Sequence, residues 1–208
     1  GKPMIAYVIE KITQVTLNMN LVNCRIIVST DDEKIKFVAE EYGAEVPFLR
    51  PNDLSGDNSP TVDSILYTIN RLLDDDLYKP ETIILIQPTS PFIACEDIIN
   101  AYKLFKKYDN PVVSVVKNEH PIEWSYRIEN KYLKPIFNSK SKMRQNYLNS
   151  YRLNGALYIS DTKSIIENNG FLSEEVRPFK MPPHRSIDID TVWDLNFART
   201  LLRMNNSD

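Results

Sequence analysis

Thr82-Ile83-Ile84-Leu85-Ile86-Gln87-Pro88-Thr89-Ser90-Pro91 is the stretch on which the fold turns. Its first five residues are β-branched or apolar without alternation, the habit of a strand covered on both faces in a parallel sheet. The run stops at Gln87, and two prolines follow at once. Proline fixes φ and withholds a ladder donor, so the loop is stiff. A stiff loop presenting an amide and two hydroxyls suits a polar ligand, or else caps the next helix.

Helix and strand signals alternate on both sides of this strand. Pro3 suits a helix N1 position, and Met4, Tyr7, Val8, Lys11-Ile12 and Val15 carry a helical stripe. Cys24-Arg25-Ile26-Ile27-Val28-Ser29 is a second short apolar run. Asp31-Asp32 then cap a helix that ends near Gly43, and Glu45-Val46-Pro47-Phe48-Leu49 forms a shorter strand. Thr61 to Leu73 and Cys95 to Lys107 read as helices, and Pro111 to Val116 as a strand. Strands alternating with helices at this spacing imply right-handed βαβ units and a mostly parallel sheet. Ligands in such sheets bind beyond the carboxyl ends of the strands. That rule marks Ser29-Thr30-Asp31, Arg50-Pro51 and the Gln87–Pro91 loop.

From Lys117 the pattern changes. Glu119 to Ser150 is polar, aromatic and basic, and order returns at Tyr151-Arg152-Leu153-Asn154-Gly155-Ala156-Leu157-Tyr158-Ile159. A helix after Asp161, a loop from Phe171 to Pro183, a strand at Ser186–Asp190 and a helix from Thr191 to Met204 complete the reading. The expected fold is α/β, a Rossmann-like, mostly parallel sheet sandwiched by helices. Residues 1–118 and 184–208 form its body, with a small β-rich insertion at 119–183.

Composition narrows the function. The 208 residues carry a formal net charge of −3, which offers no overall basic field to nucleic acid or an anionic membrane. No apolar run approaches a bilayer's thickness, and the start does not read as a signal peptide. Cys24 and Cys95 lack metal-ligand spacing and read as reduced, buried residues of a cytoplasmic protein. Only five glycines occur, with no GxGxxG or GxxxxGK[ST], so these residues hold no glycine-rich phosphate cradle.

Ser186-Ile187-Asp188-Ile189-Asp190-Thr191 carries the strongest chemical signal. Period-2 alternation places Asp188 and Asp190 on one strand face, about 7 Å apart. A divalent cation would resolve their repulsion, and hard oxygen ligands suit Mg²⁺ carrying substrate phosphates. The plainer reading is a solvated strand end whose Asp190 or Thr191 caps the next helix. Arg50 offers a fork for a phosphate beside the helix N-terminus at Thr61, or belongs to a capped surface turn. Arg144 and Arg152 can pair with a carboxylate, or stand as surface charges. Asn154-Gly155 lets a backbone approach a ligand, or forms a bulge. His120 and His184 are isolated.

In this order the segments resemble the acylneuraminate cytidylyltransferase family. They are Gly1–Tyr7, Ile27–Asp31, Leu49-Arg50-Pro51, Gln87–Pro91, Arg152–Ile159 and Ser186–Thr191, and the resemblance spans essentially the whole chain. It implies transfer of CMP from CTP to the anomeric hydroxyl of a nine-carbon acidic sugar, with release of pyrophosphate. It implies Mg²⁺ on Asp188 and Asp190, and Arg50 and Thr61 in the nucleotide pocket. Gln87, Arg144, Asn154, Tyr158 and Phe171 would face the sugar, with Arg144 the carboxylate's partner. The insertion would be a dimerisation element of a homodimer. The family's triphosphate-gripping loop precedes the segment that begins here at Gly1, so the chain is expected to be N-terminally truncated and to have little activity alone. Where sialic-acid members can carry a lysine after His120-Pro121, this chain has Glu123. An acid there disfavours a nearby carboxylate and points to legionaminic acid, pseudaminic acid or another relative in place of N-acetylneuraminate. The competing readings are a 3-deoxy-manno-octulosonate cytidylyltransferase, a uridylyltransferase or an inactive nucleotide-sugar-binding paralogue.

Overall fold

The computed structural model describes residues 1–56, 59–137 and 147–205. Six α-helices and six strands follow one another: α1 (Met4–Asn18), α2 (Glu33–Glu41), α3 (Thr61–Asp76), β1 (Thr82–Ile86), α4 (Cys95–Tyr108), β2 (Val112–Lys117), β3 (Tyr126–Glu129), β4 (Tyr132–Pro135), β5 (Tyr151–Asp161), α5 (Thr162–Asn168), β6 (Arg177–Lys180) and α6 (Val192–Asn205). The helix starts follow local chemistry. The Asp32 carboxylate accepts from the Lys34 and Ile35 amides and caps α2. Pro3 stands one position before the first helical residue of α1, not at N1.

The main sheet has the order β1-β5-β2-β6. The α/β class holds, and three of its four strands run the same way. β5 runs antiparallel to both β1 and β2, while β2 and β6 are parallel. The long strand after the hairpin therefore inserts between two strands that the sequence placed in parallel succession. Residues 151–180 of the expected insertion supply β5, α5 and β6, and thus belong to the main sheet. Among the described residues only the hairpin β3-β4 stands apart, with every residue of its strands exposed.

Alternation along the strands divides the core into two layers. Ile84, Ile86, Val112, Leu157 and Ile159 pack on one side against Ile98, Ala101 and Phe105 of α4 and Val15 of α1. Ile83, Leu85, Val113, Val115 and Tyr158 pack on the other against Val62, Ile65 and Leu66 of α3 and Ile165 of α5. Helices on both faces make a three-layer domain, and β2 is buried over five of its six residues. A third cluster joins Ile5 and Ile9 of α1 to Ile26, Val28, Ala44 and Val46. There the two expected strands shrink to one parallel bridge between Ile27 and Glu45.

Two further departures concern the C-terminal third. Arg177–Lys180, expected within a loop, is the edge strand β6. Ser186–Asp190, expected as a strand, is irregular backbone outside the sheet. Its backbone bond to the body runs from the Ile189 amide to the Thr89 carbonyl at 2.9 Å. Both cysteines are free, with Cys95 half-buried and Cys24 exposed, so the expectation of two buried thiols fails for Cys24.

Candidate active site

The ladder between β2 and β5 breaks where the site begins. Val113 faces Tyr158 and Val115 faces Leu153, so five steps along β5 oppose two along β2. Bulged ladders of this kind re-aim side chains next to functional sites. Gly155 lies inside the bulge with φ +75°, a conformation that costs glycine little and an L side chain more. Ser114 fills the broken ladder with its hydroxyl, which accepts the Leu157 amide at 2.8 Å and lies 3.0 Å from the Leu157 carbonyl.

Asn154 sits at the same break and is 2% exposed. Its Oδ1 accepts from the Ser114 hydroxyl at 2.5 Å and the Ala156 amide at 3.3 Å. Its Nδ2 donates to the Ser186 hydroxyl at 2.9 Å. The amide is thus spent inside the protein, holding the segment 186–190 to the sheet.

Asp188 lies in that segment. Its Oδ1 is buried and has no hydrogen-bond partner among the described residues. A buried acceptor left unpaired costs about 1–3 kcal/mol, more when charged, and a cation resting on it would remove that cost. Among the described residues no cluster of three or more Asp, Glu, His or Cys side chains forms a metal cage. Mg²⁺ needs no such cage, since it binds on one or two carboxylates plus substrate phosphates. Asp188 and Asp190 fit that donor set, with Asp188 half-buried and Asp190 exposed. The capping role falls on Thr191, not Asp190. The Thr191 and Asp194 side chains bond at 2.6 Å, and each accepts the other's backbone amide. Hydrogen bonds from Thr191 hold the Asp194 carboxyl below its ordinary range.

Beside this segment, at the carboxyl end of β1, lies a cavity of about 270 Å³. Thr61, Gln87, Tyr158 and Phe171 line it together with the apolar Val62, Ile65, Leu85 and Leu172. Four residues singled out from the sequence therefore meet in one place. Phe171 reaches it because α5 ends in a left-handed residue, Asn169, and the Gly170 amide bonds back to the Ile165 carbonyl at 3.0 Å. The Tyr158 and Phe171 rings lie 5.6 Å apart. Burial first, and then the negative charge of Asp188, push the Tyr158 phenol above its ordinary pKa, so it is a neutral donor at pH 7.

Arg50 stands one helix turn away from Thr61. Its Nε donates to Ser55 at 3.0 Å, while its contacts to Ser64 of α3 and Asp31 are long, at 3.4 and 3.5 Å. A guanidinium so loosely held keeps donors for an incoming phosphate. Glu123 is half-buried in a short 3₁₀ turn, and its Oε2 is enclosed without a hydrogen bond among the described residues. Arg144 falls outside the described residues.

Sequence reasoning missed the clamp behind the segment. Arg185 pairs with Asp97 at 3.0 Å and Glu96 at 2.5 Å, both in the first turn of α4. Asp97 is 2% exposed and also accepts the Ala94 amide at 3.0 Å. Lys11 of α1 donates to the Pro91 carbonyl and so ties down the Gln87–Pro91 loop. An acid at the third position of α4 was the visible signal; its cationic partner lies 88 residues away.

Comparison with known proteins fits this geometry. A family model described as cytidylyltransferase matches residues 1–123, more than half of the chain. The chain belongs to the cytidylyltransferase family. It is 34% identical to the CMP-N,N'-diacetyllegionaminic acid synthase of Legionella pneumophila, over 99% of this chain and 87% of that one. It is 29% identical to the N-acylneuraminate cytidylyltransferase of Escherichia coli, over 99% of this chain and 47% of that longer protein. In structure it resembles CMP:2-keto-3-deoxy-manno-octonic acid synthetase complexed with CTP, with a TM-score of 0.66 at 16% identity, covering 99% and 89% of the two chains. That likeness carries the fold, and it holds for the Rossmann-like α/β body as a whole.

Proposed function

We propose that this cytidylyltransferase transfers CMP from CTP to the anomeric hydroxyl of a nine-carbon acidic sugar, releasing pyrophosphate. The observation that carries the reading is that Tyr158, which lines the cavity with Thr61, Gln87 and Phe171, also feels the charge of Asp188, whose buried Oδ1 has no partner among the described residues. Asp188 and Asp190 would hold Mg²⁺, which when bound neutralises charge on the α-phosphate and the departing pyrophosphate. Arg50 and Thr61 would orient the nucleotide. Gln87, the neutral Tyr158 phenol and the Phe171 ring would hold the sugar, with Arg144 as the partner of its carboxylate. Nucleotidyl transfer asks for positioning and charge neutralisation more than covalent help.

The sugar is of the legionaminic or pseudaminic type in preference to N-acetylneuraminate. Glu123, an acid with an enclosed oxygen, supports this, and so does the greater identity to the legionaminic acid synthase. The exposed hairpin β3-β4, with Tyr126, Ile128, Tyr132 and Leu133 in water, would cover itself in a homodimer, which narrows the expected dimerisation element to this hairpin. The free thiols suit a reducing, cytoplasmic setting. A pyrophosphate-release assay on the full-length enzyme tests the proposal with CTP or UTP and legionaminic, pseudaminic or N-acetylneuraminic acid. CTP with the first or second sugar should turn over fastest. Pyrophosphate release with UTP alone would overturn the reading.

A further inference from the structure

We infer that Asn154 is a positioning residue, one that sets the Asp188 carboxylate without touching substrate. The inference rests on the reading of Asp188 as a cation ligand. A buried chain of hydrogen bonds runs from Ser114 on β2 through Asn154 on β5 to Ser186, and the Ser186 hydroxyl closes it on the Pro182 carbonyl at 3.0 Å. Ser114, Asn154 and Ser186 are 1%, 2% and 5% exposed, so water does not compete for these bonds.

Asp188 lies two residues past Ser186, and the next residue, Ile189, is tethered by its amide to Thr89. On the far side of Ser186, Arg185 is clamped to α4. The segment is therefore pinned before and after the carboxylate. Asn154 reaches it from the sheet, and the adjacent Gly155 leaves the carboxylate its room. A segment without ladder partners takes its register from tethers of this kind. The unpaired Oδ1 is held in place by bonds made at Ser186 and Ile189, none of which Asp188 makes through that oxygen. Partners behind a metal ligand fix its orientation, and losing one typically weakens metal affinity about 10–100-fold.

Mn²⁺ titration followed by electron paramagnetic resonance, with and without CTP, tests the inference independently of turnover. Ser186→Ala removes one end of the chain and Asn154→Ala its middle. Because Asn154→Ala takes one partner from each of two buried hydroxyls and empties a buried site, so that it can fail to fold, Ser186→Ala carries the test. Ile159→Val, a core change far from the segment in chemistry, serves as a control for lost stability alone. Ser186→Ala should weaken Mn²⁺ binding about tenfold or more, and excess Mg²⁺ should restore its turnover, while Ile159→Val binds Mn²⁺ as the wild type does. Unchanged Mn²⁺ affinity in Ser186→Ala, with Asp188→Asn losing it, would overturn the positioning role alone. A wild type that binds no Mn²⁺, or an Asp188→Asn protein that binds it fully, would overturn the metal reading together with it.

Discussion

The Asp188 carboxylate lies against the bare α-carbon of Gly155: a Cβ at Gly155 would stand 3.4 Å from Asp188 Oδ2. One residue comes from the centre of the sheet and the other from an irregular segment near the C-terminus. Their contact joins the bulge in β5 to the carboxylate that the chemistry needs.

Gly155→Ala meets two penalties there. The φ of +75° is left-handed, and a side chain in that region costs about 1–2 kcal/mol. The new methyl also presses on Asp188. Thermal unfolding should show a lower Tm, and the Mn²⁺ affinity should fall by more than in a core variant of equal Tm.

Asp188→Asn and Asp190→Asn should each remove Mg²⁺-dependent turnover by about 100-fold or more while leaving the fold intact. For Asp188→Asn the stability should hold or rise, because a charge with one buried oxygen unpaired among the described residues is replaced by a neutral amide. Steady-state kinetics across a Mg²⁺ series, beside urea unfolding, checks both halves. Near wild-type turnover in both mutants would mark the pair as structural.

Tyr158 makes a prediction in pH. Its phenol is raised in the folded protein, so the folded state holds that proton more tightly than the unfolded chain. The contribution is fully present below about pH 10, the ordinary tyrosine value, and is lost as pH rises through the folded-state value. Unfolding free energy measured from pH 8 to 11 should therefore fall more steeply in the wild type than in Tyr158→Phe. The same variant should raise KM for the sugar more than for CTP.

Arg185→Ala leaves Asp97 buried with the Ala94 amide but without its cation. Breaking a buried pair from one side typically costs about 3–5 kcal/mol; with Arg185 partly in water, about 2 kcal/mol is expected. Urea unfolding should show the loss. Asp97→Asn in the same background should recover part of it, since the stranded charge is then gone.

The alternation of helices and strands was legible because it rests on local pattern. Ile83–Ile86 is a continuous apolar run and Val112–Val116 is one broken only at Ser114, and burial on both faces is what such runs require. Asp32 as a cap is a matter of three successive residues. Arg177–Lys180 hid as a loop because a four-residue edge strand containing Pro178 has too few apolar positions to show a period. Ser186–Asp190 deceived in the opposite direction. Alternation records two faces and says nothing of a ladder partner, and this segment has one backbone bond to the body, at Thr89. The direction of β5 was equally hidden, since side-chain period is the same in parallel and antiparallel pairs.

The sequence by itself determined the α/β class, the loops at the strand ends and the residue types of the site, because these follow from periodicity and from side-chain chemistry. Only the tertiary structure decided that Thr61, Gln87, Tyr158 and Phe171 share one cavity, and that Asn154 turns inward to Ser114 and Ser186. Those meetings join residues 13 to 110 positions apart along the chain. Such contacts depend on strand order and on which groups burial leaves unpaired, and no local window of sequence contains either.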